Sequence, residues 1–291
     1  MRKTFTFCLF ILCISVTTAQ PVLDTTLKEQ AENVIKESTI IKIENLGEGI
    51  NSENPEMRPT ISADGNLLFF IRQNDPANIQ YATVPNSQDI WYSRRDSTGK
   101  WSVAKHLSAK VNASHYNAVY WISPDLNTIL LKGSFIDGQY YGMGVSMIHK
   151  RRDNSWTNAE MLKIRNFNKF STTPQMGASM GQDGKTLLFY MTDKKGSFDN
   201  DLYVSFAEGN DIWTAPKSLG KKINLPDYNE MSPFIAADGV TLYFSSDRPG
   251  GIGENDIWMS KRQDDSWTKW SEPVNLGRPI NTEGSEAFFT L

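Results

Sequence analysis

Four times along this chain an aspartate opens the same pattern: Asp64, Asp125, Asp183 and Asp238, at intervals of 61, 58 and 55 residues. Repetition at such a period constrains the fold strongly, because each unit must be one supersecondary element that stacks on its neighbours. Three of the aspartates stand in Asp-Gly pairs, Asp64-Gly65, Asp183-Gly184 and Asp238-Gly239, and Asp125 stands in Ser-Pro-Asp-Leu. Each is followed by an apolar run: L-L-F-F-I at 67–71, I-L-L at 129–131, L-L-F-Y at 187–190 and L-Y-F at 242–244. A loop then leads to a second run, D-I-W-Y-S at 89–93, G-V-S-M-I at 144–148, D-L-Y-V-S at 201–205 and D-I-W-M-S at 256–260. A polar turn leads to Trp101, Trp156, Trp213 or Trp267, and each unit closes on a Leu and an Asn.

Asp-Gly between apolar runs marks a tight hairpin, since the turn needs a positive φ that Gly and Asp tolerate. The seven residues Asp64, Gly65, Asp125, Asp183, Gly184, Asp238 and Gly239 are therefore read as structural turns. Each unit supplies about four short strands. One such sheet cannot bury both its faces alone, whereas radial stacking of like sheets does so. The expected fold is all-β, a β-propeller of four-stranded antiparallel blades, with Trp91, Tyr203 and Trp258 in the inter-blade core.

The clearest unit, 223–281, begins and ends on the same pair, Ile223-Asn224 and Ile280-Asn281, so Ile-Asn marks a seam between units. An orphan copy, Ile50-Asn51, precedes the first unit, and S-E-A-F-F-T-L at 285–291 matches the first strand of a further one. These ends read as the fourth and first strands of one shared fifth blade whose middle strands are missing. The expectation is four full blades plus parts of a fifth, in a propeller spanning 42–291 and truncated within its last blade.

The first residues are different in kind. Arg2 and Lys3 precede an apolar run from Phe5 to Val16 and then Thr17-Thr18-Ala19, the pattern of a secretory signal peptide over 1–19. The run is short for a membrane span, so no transmembrane segment is expected in the mature chain. Residues 20–41 read as a helical or mobile lead-in, with Leu27, Ala31, Val34 and Ile35 on one face. Cys8 and Cys13 both lie in the leader, so removing it leaves no thiol for a disulfide, a nucleophile or a metal. Removal also takes one Arg and one Lys and no acid, which moves the net charge from −3 to −5. With scattered basic residues, that balance argues against nucleic acid and anionic lipid as partners.

The motifs P-x-I/F-x-A-D-G-x-x-L-x-F, S-D-R-P-G-G-x-G-x-x-D-I-W and W-S-x-P-x-x-L-G-x-x-I-N are similar to the WD-like propeller repeat of the TolB type. They resemble especially the propeller region of OmpA-family envelope proteins of Bacteroidota. The match is close over 230–281 and weak over 118–166, which lacks the turn glycine and the D-I-W. The resemblance implies an exported protein of the periplasm or outer membrane. It also implies envelope proteins or peptidoglycan-associated complexes as partners, and an OmpA-type peptidoglycan-binding domain beyond residue 291.

No catalytic set stands out. The Asp-Gly turns lack the spacing of a sialidase Asp-box. The glycine-rich Arg248–Asp256 stretch leads into a strand rather than the helix N-terminus a phosphate cradle needs. Asp199 and Asp201 do not follow a calcium-loop pattern. His106, His115 and His149 have no metal spacing, and G-A-S-M-G at 177–181 precedes a turn rather than joining strand to helix. The expectation is a non-enzymatic protein-binding scaffold with no catalytic, metal or cofactor residues. Its candidate interface residues are Tyr81, Tyr140, Tyr141, Phe198, Tyr228 and Arg248, mostly aromatics in loops. The alternative is a propeller glycan hydrolase or lyase with carboxylates at the channel mouth.

Overall fold

The computed structural model describes residues 44–79, 85–170, 175–192, 199–209 and 211–290. The leader, the lead-in, Tyr81 and Phe198 lie outside them. The described residues form four antiparallel blades arranged in a ring. The first blade is β1 (Glu56–Ile61), β2 (Leu67–Gln73), β3 (Gln88–Arg94) and β4 (Lys105–His106). The second is β5 (Val119–Ile122), β6 (Thr128–Ile136), β7 (Gln139–His149) and β8 (Glu160–Met161). A short strand β9 (Lys163–Ile164) follows. The third blade holds β10 (Gly177–Met180), β11 (Thr186–Met191), β12 (Asp201–Gly209), β13 (Ile212–Trp213) and β14 (Lys217–Ser218). The fourth is β15 (Glu230–Ile235), β16 (Thr241–Ser246), β17 (Asp256–Lys261) and β18 (Val274–Asn275).

The turn between the first two strands of each blade is the Asp motif at work. In the third and fourth blades Asp183 and Asp238 each accept from the backbone N–H and hydroxyl of the threonine three residues on, Thr186 or Thr241. In the first and second blades a serine two residues before the aspartate donates to it instead, Ser62 to Asp64 and Ser123 to Asp125. Leu126 takes the left-handed conformation that Gly65, Gly184 and Gly239 hold elsewhere, at φ 59°. The degraded Ser-Pro-Asp-Leu motif thus keeps the turn and bears a conformation that L side chains resist.

The seam asparagine also has a definite task. Asn112, Asn224 and Asn281 each use both ends of the side-chain amide on one residue of the third strand. The amide oxygen accepts from the N–H of Ile90, Leu202 or Ile257 at 2.8–2.9 Å, and the amide nitrogen donates to the same residue's carbonyl. The seam Asn, which follows Val111 in the first blade and Ile in the third and fourth, therefore locks the return stretch onto its own blade. In the second blade Asn166 instead opens a short 3-10 turn at φ 55°, and β9 crosses to pair in parallel with β13 of the third blade.

Apolar clusters fill three of the gaps between blades. Leu67, Phe69 and Ile90 pack with Val119, Ile129 and Leu131 between the first and second. Tyr120, Trp121 and Leu130 pack with Met180, Leu187 and Phe189 between the second and third. Leu188, Tyr190 and Val204 pack with Leu242, Phe244 and Trp258 between the third and fourth. Trp91, Tyr203 and Trp258 are all buried in these clusters or on the outer face of the first blade. That outer face is covered by Leu46 and Ile50, and the outer face of the fourth blade by Ile280 and Phe289.

Arg248 belongs to this frame. The sequence suggests an interface role, but the residue is 5% exposed. Its guanidinium donates to Glu230 at 3.1 Å and to the Ile223 carbonyl, and lies over the rings of Phe244 and Trp258. Arg72 repeats the arrangement in the first blade, bonding Glu56 at 2.9 Å and the Ile50 carbonyl over Phe70 and Trp91. Each pair ties an Ile of the seam to the start of the innermost strand.

Removing one partner of a buried ion pair leaves the other charge uncompensated, at a cost of about 3–5 kcal/mol. Arg248→Ala is expected to lower stability by that amount in urea unfolding. Arg278→Ala, which removes an exposed pair with Glu283, is expected to change it by less than about 1 kcal/mol. Equal effects from the two substitutions would contradict this account of the frame.

Candidate active site

The innermost strands β1, β5, β10 and β15 converge on the axis of the ring. Side chains stitch them there: Thr60 donates to the Val119 carbonyl, Tyr120 to the Met176 carbonyl and Ser179 to the Pro233 carbonyl. Between them lies a cavity of about 70 Å³. It is lined by residues of all four blades and by Phe288–Thr290, with no Asp or Glu among the described residues that line it.

Two of the lining residues are presented by bulges. The register of β1 on β2 shifts between Met57 and Thr60, and that of β15 on β16 between Met231 and Phe234. Arg58 and Ser232 sit inside these bulges at φ 55° and 52°, and Phe288 faces the same cavity at φ 61°. Bulges re-aim side chains, and non-glycine residues held in the left-handed region concentrate at functional sites.

Arg58 reaches across the axis. Its guanidinium lies 4.2 Å from the ring centre of Phe288 and 5.6 Å from that of Tyr190 in the third blade. It has no carboxylate partner among the described residues. Gly177 makes this possible, because a Cβ there would stand 2.2 Å from the Tyr190 ring. Burial pushes the Tyr190 hydroxyl above the usual phenol range, with Arg58 pulling against it.

Three buried polar atoms on this cavity have no hydrogen-bond partner: Trp121 Nε1, Tyr190 Oη and Ser232 Oγ. Arg58 stands close enough to Tyr190 to favour the ionised form of its hydroxyl. Buried polar atoms are normally satisfied, and these three line one cavity beside the Arg58 guanidinium, where a water or a polar guest would pair with them.

Gln182 also lines a second, larger cavity of about 260 Å³ between the third and fourth blades. Asp183, Asp238, Asp265, Arg262, Phe206 and Trp267 contribute to its wall. Its carboxylates are poor acid catalysts. Both oxygens of Asp183 and of Asp238 accept bonds from their own turns. Burial pushes Asp238 up, but the Thr241 and Val240 donors outweigh it and hold the carboxyl below its usual range. Asp265 is exposed and paired with Arg262.

Asp183 and Asp238 are therefore turn clamps, as their motif implies, and the axial cavity holds the cation Arg58. Of the candidate interface aromatics, Tyr141 is 69% exposed, Tyr140 packs edge-on against Phe135, and Tyr228 is half-buried. None of them lines either cavity. The histidines do not converge: His106 bonds Asp89, His149 bonds Thr128, and His115 faces Tyr116. Among the described residues no group of three metal-ligating side chains occurs, and no helix is long and apolar enough to cross a membrane. Arg58 and Ser232 carry no chemical motif. Their signal was the repeated Glu-Met-x-Pro at 56–59 and 230–233, which brings different residues to one structural position.

No protein family model matches the chain, and no curated protein does. Among solved structures it is similar to a glycosyl hydrolase from Bacteroides ovatus, at 8% identity and a TM-score of 0.43, covering 79% of this chain and 71% of that one. A periplasmic gluconolactonase from Pseudomonas aeruginosa is similar at 14% identity and a TM-score of 0.38, covering 74% and 71%. A prolyl endopeptidase matches at 16% identity and a TM-score of 0.35 over 80% of this chain. The chain spans only 29% of the length of that peptidase. The expectation of a chain without catalytic activity is corrected by these neighbours, which are enzymes. At such identities the likeness shows the β-propeller alone, so the chemistry must be read from this chain's own residues.

Lys132 of β6 stands near the axial cation. It is 3% exposed, its Nζ lies 5.7 Å from the Tyr116 ring centre, and burial, with Arg58 adding to it, pushes its pKa down to about 6. In the unfolded chain a lysine titrates near 10.4. Between about pH 6 and 10 the unfolded state therefore binds more protons than the folded one, and stability rises with pH across that window. Below about 6 both states are protonated and the trend ends. Lys132→Met is expected to flatten this rise in unfolding experiments between pH 7 and 9.5. An unchanged slope would show that Lys132 stays charged in the fold.

Proposed function

We propose that this chain is an exported, glycan-cleaving β-propeller whose axial cavity is the active site. The observation that carries the reading is the convergence of Arg58 with three unpartnered buried polar atoms on a cavity without a carboxylate. Preorganised donors of this kind stabilise negative charge that develops during a reaction. The larger cavity beside Gln182 supports a sugar as the guest. It has room for a hexose ring, and its mixture of carboxylates, a guanidinium and aromatic rings matches hydroxyls and ring faces. The described axial lining offers a cation and no carboxylate, which favours a lyase over paired-carboxylate hydrolysis.

The leader pattern and the TolB-type character of the repeat support placement in the bacterial envelope. Envelope proteins or peptidoglycan-associated complexes are the partners we propose there, with linkage to an OmpA-type domain as part of the same reading.

The test is a panel of neutral and acidic polysaccharides incubated with the purified chain, scored by release of new reducing ends. Cleavage of at least one glycan is expected, with Arg58→Ala reducing it by two orders of magnitude or more. No cleavage across the panel by a folded protein, or full activity in Arg58→Ala, would overturn the reading.

A further inference from the structure

We infer that the axial cavity takes the carboxylate of a uronic acid residue, and that the glycan is cleaved by β-elimination. This rests on the glycan-cleaving reading above and names its substrate class and chemistry.

Size comes first. At about 70 Å³ the cavity has roughly half the volume of one known to take a benzene ring. A sugar ring does not fit, but a planar carboxylate on one carbon does. The guest group must therefore be a small substituent, with its ring outside the cavity.

Charge comes second. Arg58 is fixed between Phe288 and Tyr190, with no carboxylate among the described residues to neutralise it. Trp121 Nε1 and Ser232 Oγ each have an N–H or O–H to offer. A guanidinium and two further donors fit an oxyanion better than a hydroxymethyl group.

The chemistry follows from covalent geometry. The carbon that bears the carboxylate, C5 of a uronate, is the ring atom nearest the cavity. Its proton is acidified when Arg58 pairs with the carboxylate, because the charge that develops on removing it spreads onto the carboxylate oxygens. Tyr190 is the lining phenol not given to a backbone carbonyl; the Tyr120 hydroxyl is committed to the Met176 carbonyl. Tyr190 as phenolate takes the C5 proton, the electron pair forms the C4–C5 double bond, and the C4–O bond breaks. The departing oxygen takes the proton from Tyr190. The products are an unsaturated uronate and a free hydroxyl, and neither water nor an oxidant is consumed. Because burial raises the Tyr190 pKa, the fraction of phenolate, and with it the rate, climbs with pH from neutral into the alkaline range.

The test uses the full chain on a polyuronate, with a neutral glycan beside it. Two signals are followed, ultraviolet absorbance of the C4–C5 double bond and new reducing ends. Both should rise on the polyuronate alone. Arg58→Gln should abolish them, Arg58→Lys should retain a small part, and Tyr190→Phe should lower kcat at least 100-fold with little change in KM. The thermal midpoint of each variant guards against misfolding. Gly177→Ala, which crowds Tyr190 without touching the guest, should reproduce the Tyr190→Phe loss. Reducing ends without the double bond, or cleavage confined to neutral glycans, would overturn the uronate inference and leave glycan cleavage standing. No cleavage of either polymer would overturn both.

Discussion

A four-stranded blade of this chain has two apolar faces, and neither can be left in water. Phe69 and Phe70 are adjacent in β2 and point to opposite sides, one into the gap with the second blade and one toward Trp91 and Ile50. The same holds for Leu187 and Leu188 in β11. At about 25 cal/mol per Å² of apolar surface, burying both faces outweighs any single polar contact. The ring of blades follows from that requirement. So does the need for residues 46–50 and 280–289 to cover the faces that have no blade against them.

Radial stacking leaves an axis that no blade can fill completely. Here that space is closed by long side chains reaching inward, and the backbone bends to aim them. Arg58 and Ser232 occupy equivalent bulge positions in the first and fourth blades, yet one is a cation and the other a hydroxyl. The frame around each is the same: a glutamate at the start of the strand, an arginine across from it and a seam isoleucine below. The buried pairs Glu56–Arg72 and Glu230–Arg248 thus hold the bulges in place while the residue at the bulge is free to vary. Structure and chemistry are divided between adjacent residues of one motif.

Much of the fold was legible in the sequence, because its causes are local and repeated. Asp-Gly turns, third strands with a buried Trp or Tyr, and the Ile-Asn seam recur at fixed offsets, and each meets a fixed physical demand. The role of the seam asparagine was not legible, since a side-chain amide gripping a strand 22 or 24 residues earlier leaves no periodic trace. The site was less legible still. Arg58, Trp121, Tyr190 and Ser232 come from four blades and share no spacing, and only the convergence of the blades on one axis brings them together. Arg248 misled for the opposite reason: a glycine-rich loop suggests exposure, but the arginine turns inward to Glu230. Asp183 and Asp238 were read as turn residues, and their threonine clamps show them in that role.

The account depends most on the axial cavity being an anion site. The direct measurement is a crystal structure of the full chain with a monomeric uronate such as galacturonate. The predicted result is a carboxylate in the axial cavity, within hydrogen-bond distance of Arg58, Trp121 Nε1 and Ser232 Oγ, with the sugar ring toward Gln182. A cavity holding only ordered water at saturating galacturonate, or a sugar bound elsewhere on the ring, would contradict it.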